Sequence, residues 1–262
     1  MPRPVIALLT DFGLRDHYAG TMKGVMLGIC PDATLVDISH EVPPQDVLGG
    51  ALDLAASYRY FPAGTIFLAV VDPGVGSARR GIAAEAGGYR FVAPDNGLLS
   101  LVLDSLPVRA VELTDRRYTL PAISRTFEGR DRFAPAAAWL ATGVELSALG
   151  RSAGEVHRLQ VPAPSTDGVT IVGQVLRADR FGNLETNIDR TVYDALSART
   201  VEVRAGGTSI SQVVGTYGDV AAGEVCALFG SSDRLEIAVH GSSAAARLDL
   251  GRGAPVHVVR LA

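Results

Sequence analysis

From residue 5 to residue 71 the chain alternates between apolar runs of strand length and amphipathic stretches of helical length, and few folds accept that alternation. Val5–Thr10 is a short apolar run stopped by Asp11-Phe12-Gly13. Tyr18, Met22, Val25, Met26 and Ile29 then recur at helical spacing until Pro31-Asp32 ends the pattern. Residues 35–38 read as a second strand. Val47, Ala51, Leu54, Ala55 and Tyr58 mark a second helix with Asp46 near its start, and residues 65–71 a third strand. Strand, helix, strand, helix, strand requires crossover helices and therefore parallel strands.

Past the third strand, residues 81–86 and 89–93 read as paired strands joined by Gly87-Gly88. A turn at Pro94-Asp95-Asn96-Gly97 leads into a helix through Leu98, Leu99, Leu101, Val102 and Leu103. A strand over 108–113 and a helix over 131–142 with Pro135 in its first turn follow. Proline and small polar residues then gather, and short alternating runs separated by glycine turns take over, broken only by a helical stretch over 193–197. The expected architecture is an α/β N-terminal domain with a mainly parallel sheet over 1–162, a linker over 163–168, and a smaller all-β antiparallel domain over 169–262.

Composition narrows the function. Of 262 residues, 47% are hydrophobic and the formal net charge is −4, which supports a substantial core and argues against a nucleic-acid partner. No apolar run approaches a membrane span, and no leader precedes the first strand, so a cytoplasmic protein without a membrane partner is expected. Cys30 and Cys226 lack metal-ligand or pairing spacing and read as small buried hydrophobes. The five histidines are scattered, and no metal is expected.

Ligands of open α/β sheets bind beyond the carboxyl ends of the strands. Asp11 and Asp72 stand at two such ends, while Asp37, inside the second strand, reads as structural. Asp72 opens a Pro- and Gly-rich loop that closes on Arg79-Arg80, which reads either as a reaction site or as a turn with a surface ion pair. Ser124 to Asp131 is a second polar constellation, in which Glu128 and Asp131 suit a helix start. Asp179-Arg180-Phe181-Gly182-Asn183 is a polar turn whose aromatic and amide suit either a base or a plain hairpin. Thr10-Asp11-Phe12-Gly13 has no kinase context, Gly74-Val75-Gly76 lacks the third glycine of a dinucleotide fingerprint, and no Walker loop occurs.

Together these segments resemble the S-adenosyl-L-methionine hydroxide adenosyltransferases, relatives of the fluorinases and chlorinases. The resemblance runs through Leu9-Thr10-Asp11-Phe12-Gly13, Asp37-Ile38-Ser39-His40-Glu41-Val42-Pro43-Pro44, residues 71–80, Ala93-Pro94-Asp95-Asn96-Gly97-Leu98-Leu99, and residues 126–135, 179–187 and 235–239, in family order over nearly the whole chain. It implies hydrolysis of S-adenosyl-L-methionine to adenosine and L-methionine without a cofactor, in a homotrimer whose sites lie at subunit interfaces. Asp72 and Arg79 match two members of the family's water-activating triad. The third is a histidine in Thr-Phe-His-Gly-Arg-Asp, and here Glu128 replaces it. A carboxylate there makes a pair with Asp72, in which one pKa is expected to rise. By the same resemblance Asp11 holds the ribose hydroxyls and Asp179 the methionine ammonium. Phe181 and Asn183 surround the adenine, which Gly241 approaches through its backbone. Ser231 and Ser232 bind the carboxylate and ribose end, in a Gly230-Ser231-Ser232-Asp233 segment where the family has Asn-Ser. Two other readings stay open: an adenosine- or S-adenosylmethionine-binding protein without turnover, and a halide-dependent enzyme, which the Asp72 charge opposes.

Overall fold

The computed structural model describes residues 3–104, 106, 108–196 and 200–261, which form two compact units, residues 1–160 and 161–262. In the first unit the order is β1 (Val5–Thr10), α1 (Tyr18–Ile29), β2 (Thr34–Ser39), α2 (Val47–Ser57), β3 (Ile66–Val70), β4 (Gly81–Ala86), β5 (Tyr89–Pro94), α3 (Ser100–Leu103), β6 (Arg109–Glu112) and α4 (Ala134–Ala141). The six strands make one sheet in the order β2-β1-β3-β5-β4-β6. β1 pairs in parallel with β2 and β3, and β3 with β5, whereas β4 runs antiparallel to both its neighbours. The sheet is therefore mixed: its parallel part ends where the Gly87-Gly88 turn, with both glycines at positive φ, folds β5 back on β4.

Continuous apolar runs in β1 and β3 follow from burial on both faces. Ile6, Leu8, Ile66, Leu68 and Val70 pack with Met22 and Met26 of α1 and the alanines of α4. Their neighbours Ala7, Leu9, Phe67 and Ala69 pack with Leu54 of α2 and Val102 of α3. The Asp46 side chain caps α2 by accepting from Gly49 N at 3.0 Å.

The chain leaves β1 for β2 on one side and returns to β3 on the other. A crevice therefore opens between the carboxyl ends of β1 and β3, the switch point at which such sheets bind ligands. Register pairs Thr10 with Val70, so Asp11 and the residues after β3 leave the sheet at one level.

The second unit contains β7 (Ser165–Thr166), β8 (Thr170–Ala178), β9 (Leu184–Asp189), α5 (Arg190–Ala195), β10 (Val201–Ala205), β11 (Thr208–Ile210), β12 (Val213–Val214), β13 (Val225–Phe229), β14 (Arg234–Val239), α6 (Ala244–Leu248) and β15 (Pro255–Arg260). Its sheet runs β11-β10-β15-β8-β9-β14-β13-β12, with β7 beside β8. Pairing is antiparallel except between β12 and β13. Among the described residues, the short helices α5 and α6 make this unit strand-rich rather than strictly all-β. The expected helical stretch over 193–197 is the end of α5, and its Ser197 lies outside the described residues. Alternate residues of β14 (Leu235, Ile237, Val239) enter the core with Ile171, Val203 and Val258, which turns Glu236 to the other face. Cys30 and Cys226 are buried free thiols. Among the described residues no helix is long and apolar enough to cross a membrane.

Candidate active site

At the switch point lies a cavity of about 400 Å³ lined by Asp11, Gln45, Asp72, Phe127 and Glu128, among others. Asp72 is held by a two-pronged pair with Arg79, whose Nε donates to Oδ1 at 3.1 Å and whose second terminal nitrogen donates to Oδ2. That same terminal nitrogen donates to Glu128 Oε2 at 2.8 Å. One guanidinium thus joins two carboxylates 56 residues apart in the chain, all three side chains being at most 9% exposed. The Arg79 guanidinium also lies 5.3 Å from the Phe133 ring centroid and donates to the Arg80 carbonyl at 2.8 Å.

Burial, the largest effect on Asp72, pushes its carboxyl above the ordinary Asp value; the Arg79 guanidinium opposes the rise, and the neighbouring Glu128 charge adds to it. Of the expected pair, Asp72 is a member that rises.

Local structure fixes these positions. The Asn96 amide donates to the Val71 carbonyl at 2.8 Å and holds the end of β3 just before Asp72. Gly76 has φ +75, and a Cβ there would run into the Arg125 carbonyl, so only glycine lets this loop lie against the strand of chain that carries Glu128. Glu128 immediately precedes a π-helical turn, Gly129–Phe133, where sequence periodicity predicts ordinary helix from residue 131. Such turns concentrate at functional sites because the wider ring re-aims side chains. Asp131 does not cap a helix: it is fully buried and accepts from Ser124 N at 2.7 Å and from Arg130.

Asp11 accepts from the Gln45 backbone N at 2.7 Å, and Gln45 adopts φ +67, a left-handed conformation rare for a residue with a Cβ. The turn after β1 is tied from behind. His40 bonds Thr10 Oγ1 at 2.8 Å and Asp37 at 3.1 Å, Lys23 bonds Asp37 at 2.6 Å, and Gly13 N donates to the His40 carbonyl at 2.7 Å. Burial raises the Asp37 carboxyl, but the bonds from Lys23 and His40 outweigh it and hold it below the ordinary value. Asp37 is thus structural. Rings of Phe12, Tyr18 and Phe127 line the mouth, with Tyr18 and Phe127 centroids 5.0 Å apart.

A second cavity, of about 920 Å³, lies in the second unit and is lined by Asp179, Phe181, Asn183, Ser231 and Gly241 among others. Asp179 is built into its turn, accepting from the backbone N of Phe181 at 2.9 Å and of Asn183 at 2.8 Å, and from the Asn183 amide at 2.9 Å. Phe181 is 77% exposed at this rim. Gly241, at φ +78, presents open backbone. Ser232 does not line the cavity; its hydroxyl donates to Glu185 at 3.0 Å. Sequence reading missed Glu236 and Tyr217 here, whose phenol donates to Glu236 Oε2 at 3.0 Å. Burial raises the Glu236 carboxyl, and burial together with Glu236 pushes the Tyr217 phenol to about 12. The signal available was parity, since Glu236 alternates with core residues on β14.

The family models described as the SAM hydroxide adenosyltransferase N-terminal and C-terminal domains match residues 6–150 and 173–257. The chain is 41% identical over 258 residues to a protein of Salinispora tropica named (R)-S-adenosyl-L-methionine hydrolase, covering 96% of each. It is 40% identical to a protein of the same name from Thermus thermophilus, over 98% of this chain and all of the other. Among solved structures, an uncharacterized conserved protein from Thermotoga maritima superposes with a TM-score of 0.92 at 36% identity, over 97% of this chain and all of that one.

Proposed function

The chain belongs to the SAM hydroxide adenosyltransferase family, and on that premise we propose that it hydrolyses S-adenosyl-L-methionine to adenosine and L-methionine. The observation that carries the mechanism is the pair of buried carboxylates Asp72 and Glu128 at the wall of the switch-point cavity, joined by the buried Arg79. Water attacks C5′ on the side opposite the sulfonium. The O–C5′ bond forms, the C5′–S bond breaks with its electron pair going to sulfur, and the water gives up a proton. The sulfonium is already a good leaving group, so the work of the protein is to hold the water and the ribose in line. Asp72 orients the water, Arg79 fixes both carboxylates, and Glu128 takes the proton in the place of the family histidine. Asp11 accepts the ribose hydroxyls.

Recognition of the remaining substrate falls to the second unit, with Phe181 and Asn183 around the adenine, Gly241 approaching it through backbone, Asp179 at the ammonium and Ser231 at the carboxylate and ribose end, while Ser232 braces Glu185. In this reading residues 1–162 are a mainly parallel α/β reaction domain, 163–168 a linker, and 169–262 a mainly antiparallel β domain for recognition. A homotrimer brings the two kinds of cavity together at subunit interfaces, in the cytoplasm, with no cofactor, metal, nucleic acid or membrane in the chemistry.

Chromatography of a reaction with S-adenosyl-L-methionine tests the proposal: adenosine and methionine appear in equal amounts, and their absence defeats it. Tight binding in calorimetry without methionine release would favour a binding protein instead, a reading that draws only on the missing histidine. Release of 5′-halo-adenosine with chloride present would favour the halide enzyme, against which the Asp72 charge stands. Glu128→Gln is expected to lower kcat about 10²-fold, and Glu128→His to retain turnover. A Gln variant matching the parent at every pH would remove Glu128 as proton acceptor.

A further inference from the structure

Glu128 has a second cationic neighbour. Arg132, four residues on and at the far side of the π-helical turn, brings a terminal nitrogen to 3.6 Å from Glu128 Oε1, the oxygen that Arg79 leaves unbonded. This is an ion pair at a distance too long for a hydrogen bond. Arg132 Nε, moreover, is buried with no hydrogen-bond partner. An unsatisfied buried donor is costly, so this part of a side chain that is itself 24% exposed is held by something other than its own hydrogen bonding. Its stem is packed: a Cβ at Gly81 would lie 3.1 Å from Arg132 Cδ and 2.7 Å from the Phe133 ring.

Charge arithmetic shows what Arg132 contributes. Asp72 and Glu128 bring two negative charges, and Arg79 alone brings one positive charge. Arg132 supplies the second, so carboxylates and guanidiniums alternate in the order Asp72, Arg79, Glu128, Arg132. A neutral imidazole at position 128 would need no such partner, whereas a carboxylate does. The π-helical turn serves both arginines, since it puts Arg132 against Glu128 and Phe133 against Arg79.

We propose that Arg132 is the positioning residue for Glu128: it holds Oε1 and balances the carboxylate's charge, leaving Glu128 aimed at the cavity. The proposal rests on the hydrolase reading above. It predicts that Arg132 acts only through Glu128. Steady-state turnover of S-adenosyl-L-methionine would be compared for the parent, Arg132→Met, Arg132→Lys, Glu128→Gln and the Arg132→Met, Glu128→Gln double variant. Arg132→Met is expected to lower kcat about tenfold with KM nearly unchanged, as for a misplaced catalytic group. Arg132→Lys should recover most of that loss. With Glu128 already Gln, Arg132→Met should change kcat by less than about twofold, because its target is gone. The same loss in both backgrounds, a change in KM alone, or parent-like kinetics in Arg132→Met overturns the proposal while leaving the hydrolase reading standing. A parent enzyme that releases no adenosine overturns both. Should Arg132→Met fail to fold, Arg132→Gln carries the same cycle.

Discussion

Asp72 is buried against Arg79 and Glu128, and its carboxyl sits above the ordinary Asp value of 3.8. For an acid whose pKa is raised on folding, the folded state holds the proton more tightly than the unfolded chain. The contribution of Asp72 to stability is therefore greatest below pH 3.8 and falls as pH rises through the raised value. In the proposed mechanism activity runs the other way, since the ionised form is the one that orients the water. The acid limb of kcat/KM is expected to lie above pH 3.8 and to move in Asp72→Asn, whose kcat should be lower by at least about 10²-fold. A pH–rate series on both proteins checks this; an unchanged limb in the variant assigns it to another group. At this scale Asp11 and Asp72 were legible because an acid that stops an apolar run stands out. Gln45 was not: its backbone N–H meets Asp11 from a left-handed conformation that no composition signal announces.

Among elements, the loop over 72–80 and the segment over 124–128 behave as one piece. Gly76 lies against the Arg125 backbone, and Arg125 in turn donates to the Gly76 carbonyl at 3.0 Å. Gly76→Ala asks for a Cβ in left-handed backbone facing a carbonyl, and a loss of about 2 kcal/mol is expected, with kcat falling as the loop withdraws. Urea unfolding reads the first effect; a loss under a few tenths of a kcal/mol would mean that the loop adapts. Periodicity revealed the strands and the two long helices of the first unit, because both faces of β1 and β3 are buried and the helices show one apolar stripe each. It did not reveal the π-helical turn, which depends on what residues 128–133 meet: Arg79 from a distant loop and the buried Asp131. Nor did it reveal the Tyr217 and Glu236 pair, which is joined across 19 residues by sheet pairing.

For the whole molecule, each unit has its own core and its own cavity. The change from helix-rich to strand-rich pattern is visible in composition because short strands with glycine turns need different residues from crossover helices. What one chain recognises through another has no such trace in a single sequence. If subunit assembly completes the site, specific activity should fall on dilution through the range in which light scattering shows the proposed trimer coming apart. Constant specific activity across that range would instead mean that each subunit works alone.

The switch-point crevice has a consequence for how such a protein changes its trade. Asp11, Asp72 and Glu128 all lie beyond the sheet, on connections, while the packing that makes the fold stable is spent within β1, β3 and the helices covering them. Replacing the acid at position 72 by an uncharged side chain empties no core and weakens the negative field that turns anions away. Selection, or a protein engineer, can therefore offer the same carbon a new nucleophile by rewriting a few loop residues, and the scaffold that presents the carbon remains as it was.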